Sequence, residues 1–191
     1  MRCFVLTPNQ AAPGDLEEVR RFINTWVIPN QTRVETDLLP SLVGDPRAWE
    51  RELSAYPLQA DDSLGMLLAL RQDLRIACAD HGSEGIALNP WFAQTPLRAR
   101  IETVDGEPVV ALKPAQLSYA GHIVAIVVNA VAHSSWSRLK TCDDCRWAFY
   151  DHTRSANKRW CGMSKGGPEG RACGTIAKVR AFRERKAKKA E

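Results

Sequence analysis

The stretch TCDDCRWAFYDHTRSANKRWCGMSKGGPEGRACG, residues 141–174, contains four of the six cysteines of the chain. Cys142 and Cys145 form a CxxC pair, Cys161 follows after 15 intervening residues, and the last cysteine follows after a further 11. A CxxC pair can bind one tetrahedral metal ion, and a second pair that folds back completes a four-sulfur zinc site. We therefore predict one structural zinc ion with four ligands, Cys142, Cys145, Cys161 and Cys173. Disulfides or free core cysteines are the alternatives.

The composition predicts one core domain with a small appended module, because 191 residues with 45% hydrophobic content can bury one good core. Residues 1–10 have too short an apolar run for a signal sequence, and no stretch reaches the roughly 20 apolar residues of a membrane span. We therefore expect a cytoplasmic protein that does not enter membranes. In a reducing compartment, clustered cysteines are more often metal ligands than disulfides. The isolated Cys3 and Cys78 are interpreted as small buried core residues.

The net charge of +4 is distributed unevenly. Residues 136–191 contain 15 Lys and Arg against 6 Asp and Glu, a net charge of +9, whereas residues 1–135 contain 11 against 16, a net charge of −5. Such a basic excess favours nucleic acid as the partner, although part of it balances the charge of about −2 on a zinc ion with four thiolates. The candidate nucleic-acid-binding residues are Arg154, Lys158, Arg159, Lys178, Arg180, Arg183, Arg185 and Lys186.

The N-terminal part, residues 1–138, is predicted to be mainly helical. The acidic pair Asp15 and Glu18 starts an amphipathic helix of about four turns that ends before Pro29. A short second helix begins at Asp45, which precedes a proline. Both helices have an apolar face suited to one core.

Three further elements complete this part. A longer third helix begins near Asp61 or Asp62 and has Gly82 as its C-terminal cap. Residues 97–113 alternate in polarity around a tight turn and predict a β-hairpin. Residues 115–138 are almost wholly apolar and predict a buried helix.

Residues 139–191 are predicted to form the zinc module. The sequence between the CxxC pair and Cys161 suggests a hairpin, and Trp147, Phe149 and Trp160 are expected either to shield the sulfurs or to stack on bases. The CxxC pair and the turn that carries it form a knuckle. The order of knuckle, hairpin and helix is that of a treble clef. The fold class is therefore α+β, a mainly helical domain with a hairpin followed by a treble-clef-like finger that ends in a basic helix.

The final helix is predicted from residue 174 to residue 189, with the last zinc ligand at its start. The positive end of its dipole favours a bound thiolate there. Only Ile176, Val179 and Phe182 are available to pack inward, and cations surround most of the remainder. This helix is therefore expected to project into solvent or onto a partner.

Several motifs in this segment match a known family. They are CDDC at residues 142–145, F-x-D at Phe149 and Asp151, RWC at residues 159–161, and CG at residues 173–174 before a basic helix. The segment resembles the CGNR zinc finger. The resemblance implies a zinc-binding module that contacts DNA.

The N-terminal part resembles the ABATE domain, the usual partner of that finger, through RFINT at residues 21–25 and LRQDLR at residues 70–75. Proteins of this combination are regarded as stress-related transcription regulators. The resemblance implies that the larger domain senses a ligand. In two respects the sequence departs from the family: Thr175 and Ile176 stand in place of Asn-Arg, and the interval before Cys173 is longer.

A ligand pocket is expected where the first helix, the third helix and the hairpin meet. Asn24 and Thr25 are polar residues on or beside an apolar stripe, and Arg71 interrupts the leucine face of the third helix. Such groups in a cleft would suit a small anionic ligand. The alternative is that Asn24 bonds to the backbone and that Arg71 makes one internal ion pair.

Three functions compete. The first is a DNA-binding regulator whose larger domain senses a ligand or forms a homodimer, and the second is a protein-interaction module stapled by zinc. The third is a nuclease, because Asp151 and His152 resemble the catalytic dipeptide of ββα-metal enzymes. That chemistry needs a further ligand on the final helix, where Glu184 lies too late in the sequence. We predict no catalysis and favour the regulator.

Overall fold

The structure, a computed structural model of the chain, describes residues 10–80, 87–104, 106–163 and 170–188. Within these ranges helices combine with three two-stranded antiparallel sheets, which confirms the predicted α+β class. The elements in chain order are α1 Leu16–Ile23, β1 Trp26–Val27, β2 Thr36–Asp37, α2 Leu39–Val43, α3 Pro46–Glu52, α4 Leu64–Ala79, α5 Asn89–Gln94, β3 Leu97–Val104, β4 Glu107–Pro114, α6 Tyr119–Ala132, β5 Leu139–Thr141, β6 Ala148–Tyr150 and α7 Cys173–Lys188.

The first helix is shorter than predicted. It ends at Ile23 after eight residues, and the side chain of Thr25 donates a hydrogen bond to the carbonyl oxygen of Phe22 (2.8 Å) just beyond its end. Trp26–Val27 form β1, which pairs with β2, instead of a last helical turn. Asp15 occupies the N-cap position, but its side chain accepts no hydrogen bond from the helix.

The start of the third predicted helix has a different cap from the one expected. α4 begins at Leu64, and the hydroxyl group of Ser63 accepts a hydrogen bond from the first turn. The carboxylate of Asp62 instead accepts hydrogen bonds from the amides of Tyr119 (2.7 Å) and Ala120 (3.0 Å), at the start of α6. Asp62 therefore ties two core helices together. Gly82, the predicted cap at the other end, lies outside the described residues.

Other predicted elements are confirmed. α3 begins at Pro46, and the carboxylate of Asp45 accepts hydrogen bonds from two amides of its first turn. The apolar segment after residue 115 forms the buried helix α6, which is shorter than the predicted range of residues 115–138 and ends at Ala132. β3 and β4 form the predicted hairpin, with Ile101 opposite Val110. α2 and α5 were not predicted.

The hairpin β3–β4 packs on α6, and one asparagine of α6 binds the backbone of β4. The side-chain amide of Asn129 donates to the carbonyl oxygen of Leu112 (2.9 Å) and accepts from its amide (2.9 Å). Asn129 thus pairs with the edge of β4 as a neighbouring strand would.

A large core lies between α1, α4 and α6, and three aromatic rings meet at its centre. The ring of Tyr119 contacts the rings of Trp49 and Phe22, with centroids 4.6 and 5.5 Å apart. Cys78 is buried in this core, as predicted, whereas Cys3 lies outside the described residues. In the part of the chain that the structure describes, no helix has the length and apolar character to cross a membrane.

The core crosses the predicted boundary between residues 138 and 139. Leu139, Ala148 and Tyr150 belong to the large core, whereas Trp147 and Phe149 pack with the four cysteines in a second cluster. Successive side chains of a strand point to opposite faces, so β6 separates the two clusters and contributes to both. The finger and the larger domain are therefore packed against opposite faces of the same strand, β6.

Candidate metal centre

The four predicted cysteines meet in one buried cluster. Their Sγ atoms lie within 4.8 Å of one another, and those of Cys145 and Cys173 each lie 3.6 Å from that of Cys161. A disulfide requires about 2.05 Å between the two sulfurs. A tetrahedral zinc ion with Zn–S distances of about 2.3 Å places its sulfurs about 3.8 Å apart. The geometry therefore fits one structural zinc ion with four thiolate ligands.

The electrostatics of the cluster also favour a cation. Hydrogen bonds from the thiols of Cys145, Cys161 and Cys173 lower the pKa of Cys142. Hydrogen bonds to Cys142 and Cys145 raise the pKa of Cys161, because its protonated thiol is the donor to these sulfurs. Zinc, which carries two positive charges, allows all four sulfurs to be deprotonated.

The first two ligands lie in the turn between β5 and β6. The amide of Cys142 donates to the carbonyl oxygen of Trp147 (2.9 Å), and the amide of Arg146 donates to that of Cys142 (2.9 Å). β6, Ala148–Tyr150, therefore pairs with β5, the strand that precedes the CxxC pair. Residues 151–163 contain no strand. The hairpin predicted after the CxxC pair is wrong, because β6 is the second strand of the hairpin that carries the pair.

The two aspartates of CDDC each form an ion pair with an arginine. Each of these arginines lies two positions before one of the other two cysteine ligands. Asp143 forms an ion pair with Arg159 (2.7 Å), and Asp144 forms one with Arg171 (2.6 Å). Burial works to raise the pKa of Asp144, but the hydrogen bond and charge of Arg171 hold it below its usual value. The knuckle thus positions the segments that carry Cys161 and Cys173.

The close approach of α7 to the third ligand explains the glycine after Cys173. The amide of Gly174 donates to the carbonyl oxygen of Gly162 (2.9 Å), and Met163 lies directly against it. A Cβ atom at position 174 would lie 2.3 Å from Sδ and 3.2 Å from Cα of Met163. A side chain here would push the segment after Cys161 away from the helix.

Aromatic rings shield the sulfurs, as one of the two interpretations expected. Trp147 and Phe149 are buried beside the cysteines, and Trp160 is partly buried against them. The two fully enclosed rings are therefore not available to stack on bases.

Asp151 and His152 make structural contacts: Asp151 organises a loop of the finger, and His152 contacts the segment before α1. The buried carboxylate of Asp151 accepts hydrogen bonds from the hydroxyl group of Thr153 (2.6 Å) and the amide of Lys158 (2.8 Å), which hold its pKa low although burial works to raise it. Nε2 of His152 lies 2.7 Å from the carbonyl oxygen of Ala11. Among the described residues, the four cysteines form the only group arranged to hold a metal.

Buried polar contacts join the finger to α1. Nδ2 of Asn24 donates to the carbonyl oxygen of Ala148 (3.0 Å), and Oδ1 accepts from its amide (2.7 Å). The guanidinium group of Arg20 reaches the same carbonyl oxygen (3.3 Å), and Gln10 donates to the carbonyl oxygen of Cys161 (2.8 Å). The sequence reasoning missed Arg20 and Gln10. A signal existed for Arg20, because it lies four residues after Leu16 on the buried face of α1.

The three predicted ligand-pocket residues lie close together but are occupied by protein groups. All three side chains are buried, and Asn24 binds Ala148. Arg71 donates to Thr25 (2.8 Å) and forms a bidentate pair with Asp37, with both distances 2.6 Å. These are the internal roles that the alternative interpretation described. A ligand at this position stays a prediction.

The predicted nucleic-acid-binding residues fall into two groups. Those on α7 are exposed: Lys178, Arg180, Arg183, Arg185 and Lys186. Near the knuckle, Arg154 is exposed, Lys158 is half-buried, and Arg159 is exposed but held by Asp143.

The apolar residues of α7 differ from the prediction. Val179 and Phe182 are 44% and 61% exposed, so neither packs inward as expected, whereas Ile176 is half-buried. Cys173 and Gly174 are the buried residues of this helix. Beyond the first turn most side chains of α7 are exposed, and Arg180 lies 3.8 Å from the carboxylate of Asp144.

The fold and the cluster define a protein with a four-cysteine zinc-binding module at its C-terminal end. The model of the CGNR zinc finger family matches residues 138–186, which include all four ligands. Searches found no matching curated protein and no matching solved structure.

Proposed function

We propose that this protein is a zinc-dependent nucleic-acid-binding protein that regulates transcription. The finger and α7 contact DNA, and the larger domain senses a small ligand or mediates association. The observation that carries this proposal is α7, a helix anchored beside the metal at one end and surrounded by exposed cations along the rest of its length.

The charges of α7 suit a groove between two phosphate backbones. The 16 residues of Cys173–Lys188 include six Lys and Arg and one Glu, and the helix is about 24 Å long. Lys178 and Arg180 are two positions apart, so they lie on nearly opposite sides of the helix. A helix with cations on both sides can contact phosphates on both walls of the major groove while its centre faces base edges.

The finger itself also carries exposed positive charges. Arg154 lies within the loop that Asp151 organises, and it is exposed. Arg159 is less available, because Asp143 already neutralises it and its guanidinium group lies 5.4 Å from the ring centre of Trp160. We therefore expect Arg154 to contribute more to nucleic-acid affinity than Arg159.

The larger domain is placed to influence the finger. The Asn24 amide joins the end of α1 to Ala148, and the guanidinium group of Arg75 donates to the carbonyl oxygen of Arg146 (3.3 Å), directly after the second ligand. A ligand or partner that moved α1 or α4 would move the knuckle with them. This coupling supports a sensor role for the larger domain.

A salt-dependent mobility-shift assay with duplex DNA tests the proposal. With about five phosphate contacts, log affinity should fall against log salt with a slope near −4.5. Changing Arg183, Arg185 and Lys186 to Ala should reduce that slope by about 2.7. Arg47→Ala is the matched control, since Arg47 is exposed on the larger domain and its loss should leave the slope unchanged.

The zinc requirement is tested in the same assay with Cys142→Ser. Loss of the site should abolish the shift, because the metal fixes the start of α7. If the zinc-loaded wild-type protein binds neither duplex DNA nor RNA at low salt, the nucleic-acid proposal fails. The exposed helix would then be a docking surface for an acidic protein.

A further inference from the structure

The hairpin β3–β4 carries apolar side chains that nothing in the described chain covers. Ile101 and Val110 lie opposite each other, and their side chains are 79% and 61% exposed. A two-stranded hairpin is marginal without a further strand or a helix on its face, and here β4 contacts α6, in part through Asn129 at its outer edge. Exposed apolar side chains on such a ribbon indicate an interaction surface.

The backbone of β3 also presents an open edge. In an antiparallel pair, opposite residues alternately direct both backbone groups toward each other or away from each other. Leu112 directs its amide and carbonyl groups away from β3, to Asn129, so Ala99 opposite it must direct its own groups outward. The alternation gives Ile101 and Thr103 the same orientation. In the described chain, no strand pairs with this outer edge of β3.

One register of β3 against a second copy of itself makes opposite-charge pairs and no like-charge pair. Residues whose backbone groups point outward must lie opposite each other in the two copies. Because these residues alternate along β3, the two-fold axis of the pair has to pass through a residue and not between two residues. An axis at Ile101 places Arg100 opposite Glu102 of the second copy, twice. An axis at Arg100 also pairs Arg98 with Glu102 twice, but it places the two Arg100 side chains directly opposite each other. An axis at Glu102 places the two Glu102 side chains opposite each other. Like charges directly opposite are destabilising.

We propose that two copies of this chain associate through antiparallel pairing of their β3 edges, with the two-fold axis at Ile101. The result is a four-stranded sheet in the order β4, β3, β3, β4. The two Ile101 side chains become neighbours on one face, flanked by the Val110 side chains, while Arg100 and Glu102 form two ion pairs on the other face. This inference does not depend on the nucleic-acid proposal, since no residue of the finger takes part.

Charge reversal across the axis tests this surface. The full-length zinc-loaded protein should sediment as a dimer at high protein concentration and dissociate on dilution. Arg100→Glu and Glu102→Arg should each weaken the dimer about tenfold or more, because each places like charges opposite each other twice. The double variant Arg100→Glu with Glu102→Arg should restore most of the wild-type affinity; the remaining loss reflects the ion pair between Glu102 and Lys113 of the same chain (3.2 Å), which the swap removes.

A backbone variant tests the hydrogen bonds between the two β3 strands separately from the charges. Ile101→Pro removes the outward amide, which does not bond to β4, and proline is tolerated at such edge positions. It should therefore abolish the dimer and leave the circular dichroism and the zinc content unchanged. Wild-type protein that stays monomeric at every concentration would overturn the proposal. So would a dimer that survives both single reversals, or a double variant that remains monomeric.

Discussion

The carboxylate of Asp144 lies 2.6 Å from Nε of Arg171, and only 3% of the Asp144 side chain is exposed. This ion pair links the knuckle to the segment that delivers Cys173. The companion pair, Asp143 with Arg159, has the same chemistry, but 42% of the Asp143 side chain is exposed. The two adjacent aspartates thus make similar contacts that differ in burial and in the second arginine, Arg180, that lies 3.8 Å from Asp144.

Asp144→Asn should lower the zinc affinity by about ten- to a hundredfold, as outer contacts of metal ligands commonly do. Asp143→Asn should lower it by no more than about fivefold, because an exposed ion pair contributes up to about 1 kcal/mol. Competition with a chromophoric chelator measures both affinities. Equal losses in the two variants would show that burial of the Asp144 pair has no special role.

Removal of zinc should release the second half of the finger and leave its first strands folded. The metal cluster consists largely of the cysteines themselves, so the ion contributes on the order of 10 kcal/mol to its order. Leu139 and Ala148 belong to the large core and do not depend on it. Hydrogen exchange after chelation should therefore increase in α7 but not at the Ala148 amide, and added zinc should reverse the change. Continued protection of α7 without zinc would contradict this prediction.

Asn24→Ala should destabilise the protein by about 2–3 kcal/mol, because the buried amide of Ala148 would lose its partner. Asn129→Ala is the matched comparison, since Asn129 makes the same two bonds to Leu112 at a partly exposed position. Water can replace that side chain, so the expected cost is about 1 kcal/mol. Urea unfolding of the zinc-loaded variants measures both. A larger loss for Asn129→Ala would refute the comparison.

The ion pair between Asp37 and Arg71 should make the stability depend on pH. Burial works to raise the pKa of Asp37, but hydrogen bonds from Arg71 and the amide of Leu39 outweigh it and hold the pKa below its usual value. A lowered pKa stabilises the folded state above the unfolded value of about 3.9, and this stabilisation is lost as the pH falls through the folded pKa.

Asp37→Asn should therefore be less stable than the wild type near neutral pH, and the difference should shrink in acid. Comparing the two proteins at each pH separates this effect from zinc release, which is common to both. A difference in unfolding free energy that stays constant down to pH values well below the folded pKa would exclude the ion pair as its source.

Local patterns predicted most of the regular elements. Asp45 before Pro46 marked α3, the alternation of residues 97–113 marked the hairpin, and the spacing of the cysteines predicted one zinc ion. Each depends on residues close in sequence or on the coordination chemistry of a single ion. α1 was predicted too long because its apolar stripe continues through Trp26 and Val27, which pack as a strand.

Contacts between distant segments could not be predicted in the same way. Gln10 reaches the carbonyl oxygen of Cys161, 151 residues away, and no local pattern indicates such a partner. Asp62 was expected to start the third helix but caps α6 instead. Asn24 stood out as a polar residue near an apolar stripe, yet the identity of its partner depends on how β6 packs on α1.

The position of β6 limits how this architecture can be rearranged. A fusion of residues 139–191 to another protein would expose Leu139, Ala148 and Tyr150 to water. The remaining residues 1–138 would lose these three side chains from their hydrophobic core. Recombination at the junction would damage both products. The smallest transferable unit therefore includes α1 and α4 together with the zinc ligands.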